Sequence, residues 1–107
     1  MTHYQLSQLP SRELIKGFTG RFIHTDQVTI GYIDIASGSI LPEHHHIHEQ
    51  ITTVLEGTLE ITVEGQKHLL LAGHILAIPS NARHSAIALT DCKVIDVFNP
   101  VREDYKF

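Results

Sequence analysis

Four of the nine histidines crowd into five consecutive positions, His44, His45, His46 and His48, inside the stretch Pro42 to Gln50. In an extended strand, side chains two apart project to one face, so His44 and His46 point together. Paired ring nitrogens of this kind grip a first-row divalent metal, but two ligands do not close such a site. Gln50 and His84 are the downstream candidates for the remaining positions. His45 has the opposite parity and is expected to face solvent. His48 shares the parity of His44 and His46 but sits where the strand must turn. Its expected roles, in order, are a hydrogen-bond partner of a ligand, a contact for substrate, and a substitute ligand. His3, His24, His68 and His74 lack companions and read as surface residues.

A second chemical signal lies near the C-terminus. Asp96 shares strand parity with Cys92, Val94 and Phe98, an otherwise apolar set. A carboxylate there is costly unless it is paired or used. Burial would raise its pKa toward the range suited to proton transfer. Alternatively, Asp96 pairs with Arg102 or another cation and is structural only.

These residues need elements that make them converge. Val28 to Ile35, Ile40 to His46, Gln50 to Glu56, Thr58 to Val63, Lys67 to Leu71, Ile75 to Ile78, His84 to Leu89 and Lys93 to Phe98 are short β-rich runs divided by turn residues. That rhythm fits an antiparallel sandwich or barrel of roughly nine strands without crossover helices. In Thr58 to Glu64, Leu59, Ile61 and Val63 alternate with polar residues, which gives one buried face and one wet face. Pro42 is tolerable only near an edge or bend. Upstream, Ser11 to Gly17 reads as one helical turn, capped by Ser11 and stopped by Gly17. Residues 1–20 are thus expected to form an extension, a strand or short helix packing on a partner subunit, and residues 21–107 a single barrel domain.

Composition narrows the function. The 107 residues are 42% hydrophobic and 19% charged, with a net charge of -4 and eight scattered basic residues, so neither nucleic acid nor a membrane surface is the expected partner. Cys92 is the only cysteine. It can form no intrachain disulfide and reads as a small buried apolar residue in a reducing compartment. Met1 to Pro10 lacks the basic and apolar regions of a secretory signal, and the apolar runs are far shorter than the roughly 18 residues a spanning helix needs. A cytoplasmic location is expected.

The histidine-bearing segments resemble the two motifs of the cupin superfamily, in its small single-domain form. Gly38, His44, His46, Gln50 and Gly57 match the first motif, with Gln50 in place of its glutamate. Gly73, Pro79, Asn81, His84 and Ala88 match the second. Asn81 stands where that motif has glycine, a mild change because asparagine tolerates left-handed backbone. Ala88 replaces an asparagine and removes a polar group. The resemblance implies an all-β fold, the double-stranded β-helix (jelly-roll) barrel of the cupin type. It also implies one divalent metal per chain on His44, His46, Gln50 and His84. Zinc, nickel, manganese and iron all suit three nitrogens and an amide oxygen. A neutral amide in place of a carboxylate leaves the cation's charge uncompensated, which favours an anionic ligand and Lewis-acid chemistry over oxygen activation.

Within that superfamily, His-Glu-Gln at 48–50, Val-Leu-Glu-Gly at 54–57 and Asp-x-Phe-x-Pro-x-Arg at 96–102 resemble the cupins of pectin and alginate degradation, which ketonise 4,5-unsaturated uronate monomers. The resemblance implies that Asp96 and Arg102 act on the substrate, that Arg102 clamps its carboxylate, and that Phe98 lines the cavity; His48 is a further candidate for substrate contact on its strand parity alone. Small side chains at Ala86 and Ala88 would leave room for a sugar. The expected partner is a small anionic substrate, a sugar acid, and the expected assembly a homodimer. Two rivals make different predictions. A metal-dependent cupin dioxygenase of a small enediol or flavonoid would consume oxygen, whereas a non-catalytic module binding a sugar or acidic metabolite would turn nothing over.

Overall fold

The computed structural model describes residues 1–107. Ten strands run from β1 (Arg12–Ile15), β2 (Phe18–His24), β3 (Thr29–Ile35), β4 (Ile40–His44) and β5 (Glu49–Glu56) to β6 (Leu59–Val63), β7 (Gln66–Leu70), β8 (Ile75–Ile78), β9 (His84–Ala88) and β10 (Cys92–Asn99). They form two antiparallel sheets, one ordered β1-β2-β3-β10-β5-β8 and the other β4-β9-β6-β7. The chain passes repeatedly from one sheet to the other, which is the jelly-roll barrel expected. No helix is long and apolar enough to cross a membrane.

Alternation along each strand decides what faces the interior. Ile33 and Ile35 of β3, Val54 of β5, Leu59 and Ile61 of β6, Ala88 of β9, and Cys92 and Val94 of β10 are buried in one apolar cluster. Cys92 is therefore the buried small residue anticipated. The same parity carries Gln50, Thr52, His84 and Phe98 inward, and these four are also buried. Register then sets their neighbours: His44 lies opposite His84 on β4 and β9, while Thr52 lies opposite Asp96 and Gln50 opposite Phe98 on β5 and β10.

Local backbone chemistry supports this arrangement. The β4–β9 pairing is irregular between Leu41 and His44, on an edge strand. Pro42, which has no amide proton to give, sits in that gap. Asn81 has φ 63°, the left-handed conformation its amide side chain tolerates. Its amide donates to the His46 carbonyl at 2.8 Å, and so ties the loop before His84 to the histidine stretch.

The segment Ser11 to Gly17 departs from expectation. Instead of a helical turn it forms β1, which pairs with β2, with Lys16 and Gly17 making the hairpin turn. Gly17 has φ 85° and supplies that turn rather than a helix stop. A single helical turn would have fixed three residues for one hydrogen bond, whereas a hairpin uses the edge of an existing sheet and lets Leu14 pack on the core. β2 accordingly begins at Phe18, ahead of the barrel domain expected from residue 21, and the strands number ten against roughly nine expected.

Candidate metal centre and substrate cavity

His44 ends β4, His46 lies just beyond it, and His84 begins β9, the strand paired beside β4. One nitrogen from each lies within 4.8 Å of the others. That spread is little more than twice a metal-to-nitrogen bond of about 2.1 Å. Each Nδ1 is engaged by a backbone carbonyl: His44 donates to Pro42 at 2.9 Å, His46 to His48 at 3.1 Å and His84 to Ala82 at 2.9 Å. Because a carbonyl can only accept, all three rings carry their proton on Nδ1 and present the Nε2 lone pair. Nε2 of His84 is buried with no hydrogen-bond partner.

Gln50 joins this set through its oxygen. Its Nε2 donates to Thr52 Oγ1 at 3.0 Å and to Asp96 Oδ1 at 3.5 Å, which turns Oε1 toward His46 Nε2 at 3.2 Å. Two acceptors therefore face each other at 3.2 Å, unless His46 is doubly protonated. Burial, followed by the Arg102 charge and the neighbouring rings, lowers the His46 pKa to about 4, so the ring is neutral at pH 7. Burial also lowers His84. Donor atoms that converge with no proton between Gln50 Oε1 and His46 Nε2 fit a cation, so His44, His46, His84 and Gln50 suit a divalent metal.

The bonds made by Gln50 also explain why it is not the glutamate of the cupin motif. A carboxylate has no proton for Thr52 or Asp96 and would set a second negative charge against Asp96. Gln50→Glu is expected to tighten metal binding by about tenfold while lowering turnover. Competition with a chromophoric chelator, alongside steady-state rates, would check both changes.

A cavity of about 380 Å³ opens beside these rings. His44, Gln50, His84, Thr52, Asp96 and Arg102 line its polar end, and Ile33, Leu59 and Ile61 are among its apolar walls. Ala86 lines it as expected, but Ala88 is fully enclosed in the core and makes no room for a guest. Asp96 is half-buried and does not pair with Arg102. It accepts from Thr52 Oγ1 at 2.6 Å, and burial pushes its pKa up to about 6 against the opposing pull of Thr52, Gln50 and the more distant guanidinium.

Arg102 is 7% exposed, with its guanidinium carbon 4.8 Å from the Phe98 ring centre and 4.0 Å from that of Tyr105. Asp104 takes its Nε and Nη2 at 3.0 and 2.8 Å. That fork uses one edge of the guanidinium, and the Nη1/Nη2 edge has no carboxylate partner in the chain. Phe98 lines the cavity and packs on His46, with ring centres 5.9 Å apart.

His48 lies behind this array. Its carbonyl holds His46, its ring centre is 5.2 Å from that of His46, and the ring is not part of the cavity wall. His45 is exposed. Sequence reasoning did not single out Thr52, Asp104 or Tyr105. Only the i, i+2 spacing of Arg102 and Asp104 was a usable signal. His24, read as a surface residue, is instead half-buried and hydrogen-bonded through both ring nitrogens.

Comparison with known proteins finds relatives over most of the chain. The family model for the Cupin domain matches residues 31–98. The pectin degradation protein KdgF of Dickeya dadantii (strain 3937) is 33% identical over 101 residues, which cover 92% of each chain. An H2HPP isomerase of Bacillus subtilis is 30% identical over 102 residues, which are 92% of this chain but 43% of that protein. Among solved structures, KdgF from Halomonas sp. superposes with a TM-score of 0.91 at 28% identity, covering 97% of both chains. With the barrel, both histidine segments and these matches in agreement, the chain belongs to the cupin family.

Proposed function

We propose that this protein is a metal-dependent cupin that converts 4,5-unsaturated uronate monomers to their linear keto forms. The observation that carries this reading is the polar end of the cavity. A carboxyl group with a raised pKa and an arginine with a free bidentate edge line the same cavity as the histidine cluster. The relationship to a pectin degradation protein supports an acidic sugar, because pectin is built from uronic acids.

In this reading the free edge of Arg102 holds the substrate carboxylate in a planar fork, and Phe98 and Tyr105 fix the guanidinium plane. Asp96 accepts the proton of the anomeric hydroxyl. The bond from the anomeric carbon to the ring oxygen then breaks, leaving an aldehyde and an enolate. Asp96 returns the proton to the enolate carbon beside the new ketone, so the reaction is an isomerisation with no co-reactant. A divalent ion, zinc, nickel, manganese or iron, would supply Lewis acidity for the developing negative charge. Thr52 and Gln50 keep the Asp96 carboxyl aimed by their hydrogen bonds.

The test follows the conjugated enol chromophore of an unsaturated uronate in the presence of metal-loaded protein. Faster loss than in buffer, without oxygen uptake, supports the reading. A rate equal to buffer with metal confirmed bound rejects it, and oxygen consumption would point to a dioxygenase.

We also infer a homodimer formed through the six-stranded sheet. On its outer face, register aligns Ile23, Ile30, Val97, Ile51 and Ala77 in one row and, beside Arg21 on β2, Tyr32, Ile95, Thr53 and Ile75 in the next. Five strands spaced about 4.8 Å apart make this apolar strip about 20 Å wide, the scale of a small two-fold interface. Light scattering is expected to give twice the 12.0 kDa chain mass, and Ile51→Glu is expected to return the mass to one chain.

A further inference from the structure

We propose that His24 and Thr29 form a clamp that positions Arg102 for the substrate carboxylate, so that His24 is a positioning residue of the reaction. This rests on the carboxylate-binding role given above to Arg102.

The clamp begins with a hairpin. His24 is the last residue of β2 and Thr29 the first of β3, and the register places them opposite each other. On its other side Thr29 lies opposite Phe98 of β10. Thr29 is 0% exposed, so its hydroxyl must find partners within the protein. It accepts from the Arg102 amide at 2.8 Å, and its Oγ1 lies 2.8 Å from His24 Nδ1. The far nitrogen of the same ring, Nε2, lies 3.1 Å from the Tyr105 carbonyl.

Only one neutral arrangement satisfies all of these contacts. The Tyr105 carbonyl can only accept, so His24 carries its proton on Nε2 and donates there. Nδ1 is then an acceptor and takes the Thr29 hydroxyl proton, while Thr29 Oγ1 receives the Arg102 amide. Three hydrogen bonds thus run in one direction, from the Arg102 amide through Thr29 and His24 to the Tyr105 carbonyl.

The two points held are three residues apart, and they bracket the group that matters. Between them run the Arg102–Asp104 ion pair and the 3-10 turn Glu103–Tyr105. Tyr105 N donates to Arg102 O at 3.1 Å and Lys106 N to Glu103 O at 3.2 Å, bonds internal to this tail. A C-terminal tail frays unless it is tied down; here Tyr105 and Phe107 pack on the Phe22 ring, contacts that hold the rings but not the Arg102 backbone. The clamp fastens it to the barrel at the residue whose guanidinium faces the cavity and at the residue whose ring supports that guanidinium. It also shares Thr29 with the strand position of Phe98, the second ring against Arg102. Small misplacements of a substrate-positioning group cost about 100-fold.

The test compares His24→Ala, His24→Gln and Thr29→Val with the parent enzyme. Glutamine carries an acceptor and a donor that can reproduce the two ring contacts, whereas alanine carries neither. Amide hydrogen exchange at Arg102 is expected to speed up by more than about tenfold in His24→Ala and Thr29→Val. In both, KM for the unsaturated uronate is expected to rise about 10- to 100-fold, with kcat changed by less than about threefold and metal content unaltered. His24→Gln is expected to restore both readouts. Exchange at Arg102 that stays at the parental rate in His24→Ala overturns the clamp. Faster exchange with an unchanged KM overturns its role in positioning. If the parent itself does not turn over the uronate, the reaction assigned above fails, and the exchange rates still decide whether the clamp exists.

Discussion

Asp96→Asn is expected to abolish turnover while leaving the protein folded and metal-loaded. The substitution keeps the size of the side chain and the acceptor for Thr52 Oγ1, which lies 2.6 Å from the carboxyl oxygen. It removes the cavity carboxyl group whose pKa burial has raised, whereas Asp104, which also lines the cavity, is committed to the Arg102 guanidinium. Loss of a positioned acid or base costs about 10²- to 10⁴-fold, so kcat should fall by about 10³-fold with KM within about threefold. Steady-state kinetics with calorimetric binding of a uronate would separate the two. A binding module would instead show unchanged affinity and no parental turnover to lose. Stability gives an independent check. Burial raises the folded-state pKa of Asp96 to about 6 from 3.8. In metal-free protein the folded state therefore holds this proton more tightly than the unfolded chain. That contribution is fully present below the unfolded value and is lost as pH rises through about 6. Above that pH the metal-free Asn variant should be at least as stable as the parent, which denaturant titration at two pH values would measure.

His84→Ala is expected to remove the metal and the activity together. His84 is 3% exposed, its Nδ1 is fixed by the Ala82 carbonyl, and its Nε2 has no partner within the protein. Deleting the ring removes one of three converging nitrogens and leaves a void on the barrel wall. Metal affinity should drop by more than about 100-fold, and turnover should fall to the rate in buffer. His45→Ala is the matched control. It removes an imidazole one residue from His44 and His46, but on the exposed side of the strand, and it should leave both quantities unchanged. Metal content after dialysis, read beside the enol assay, distinguishes the pair. Equal losses in the two variants would mean that strand parity does not decide which histidines matter.

Much of this site was legible because strand alternation is a local property. The parity that sends Ile33 and Val94 into the core also sends His44, His84 and Asp96 to one interior and His45 to the outside. Asn81 stands where the second motif has glycine, which marks a left-handed position, and its φ of 63° agrees. Features that depend on distant partners were not legible. Ser11 to Gly17 looks like a helical turn until β2 offers it an edge, and the preference of so short a segment is weak. His24 looks isolated in the sequence because its carbonyl partner, Tyr105, lies 81 residues away. Gln50 reads in the sequence as a neutral ligand in place of a carboxylate, whereas its donation to Thr52 and Asp96 follows from a register that brings the three side chains together.

The proposed ring opening calls for a divalent cation, which His44, His46, His84 and Gln50 would hold. Elemental analysis of untagged protein, purified without added metal or chelator and dialysed before measurement, tests that dependence most directly. The expected result is about one divalent transition metal per chain, lost together with activity on chelation and regained with it on adding metal back. Active protein that contains no such metal, and that chelators do not affect, would contradict the account.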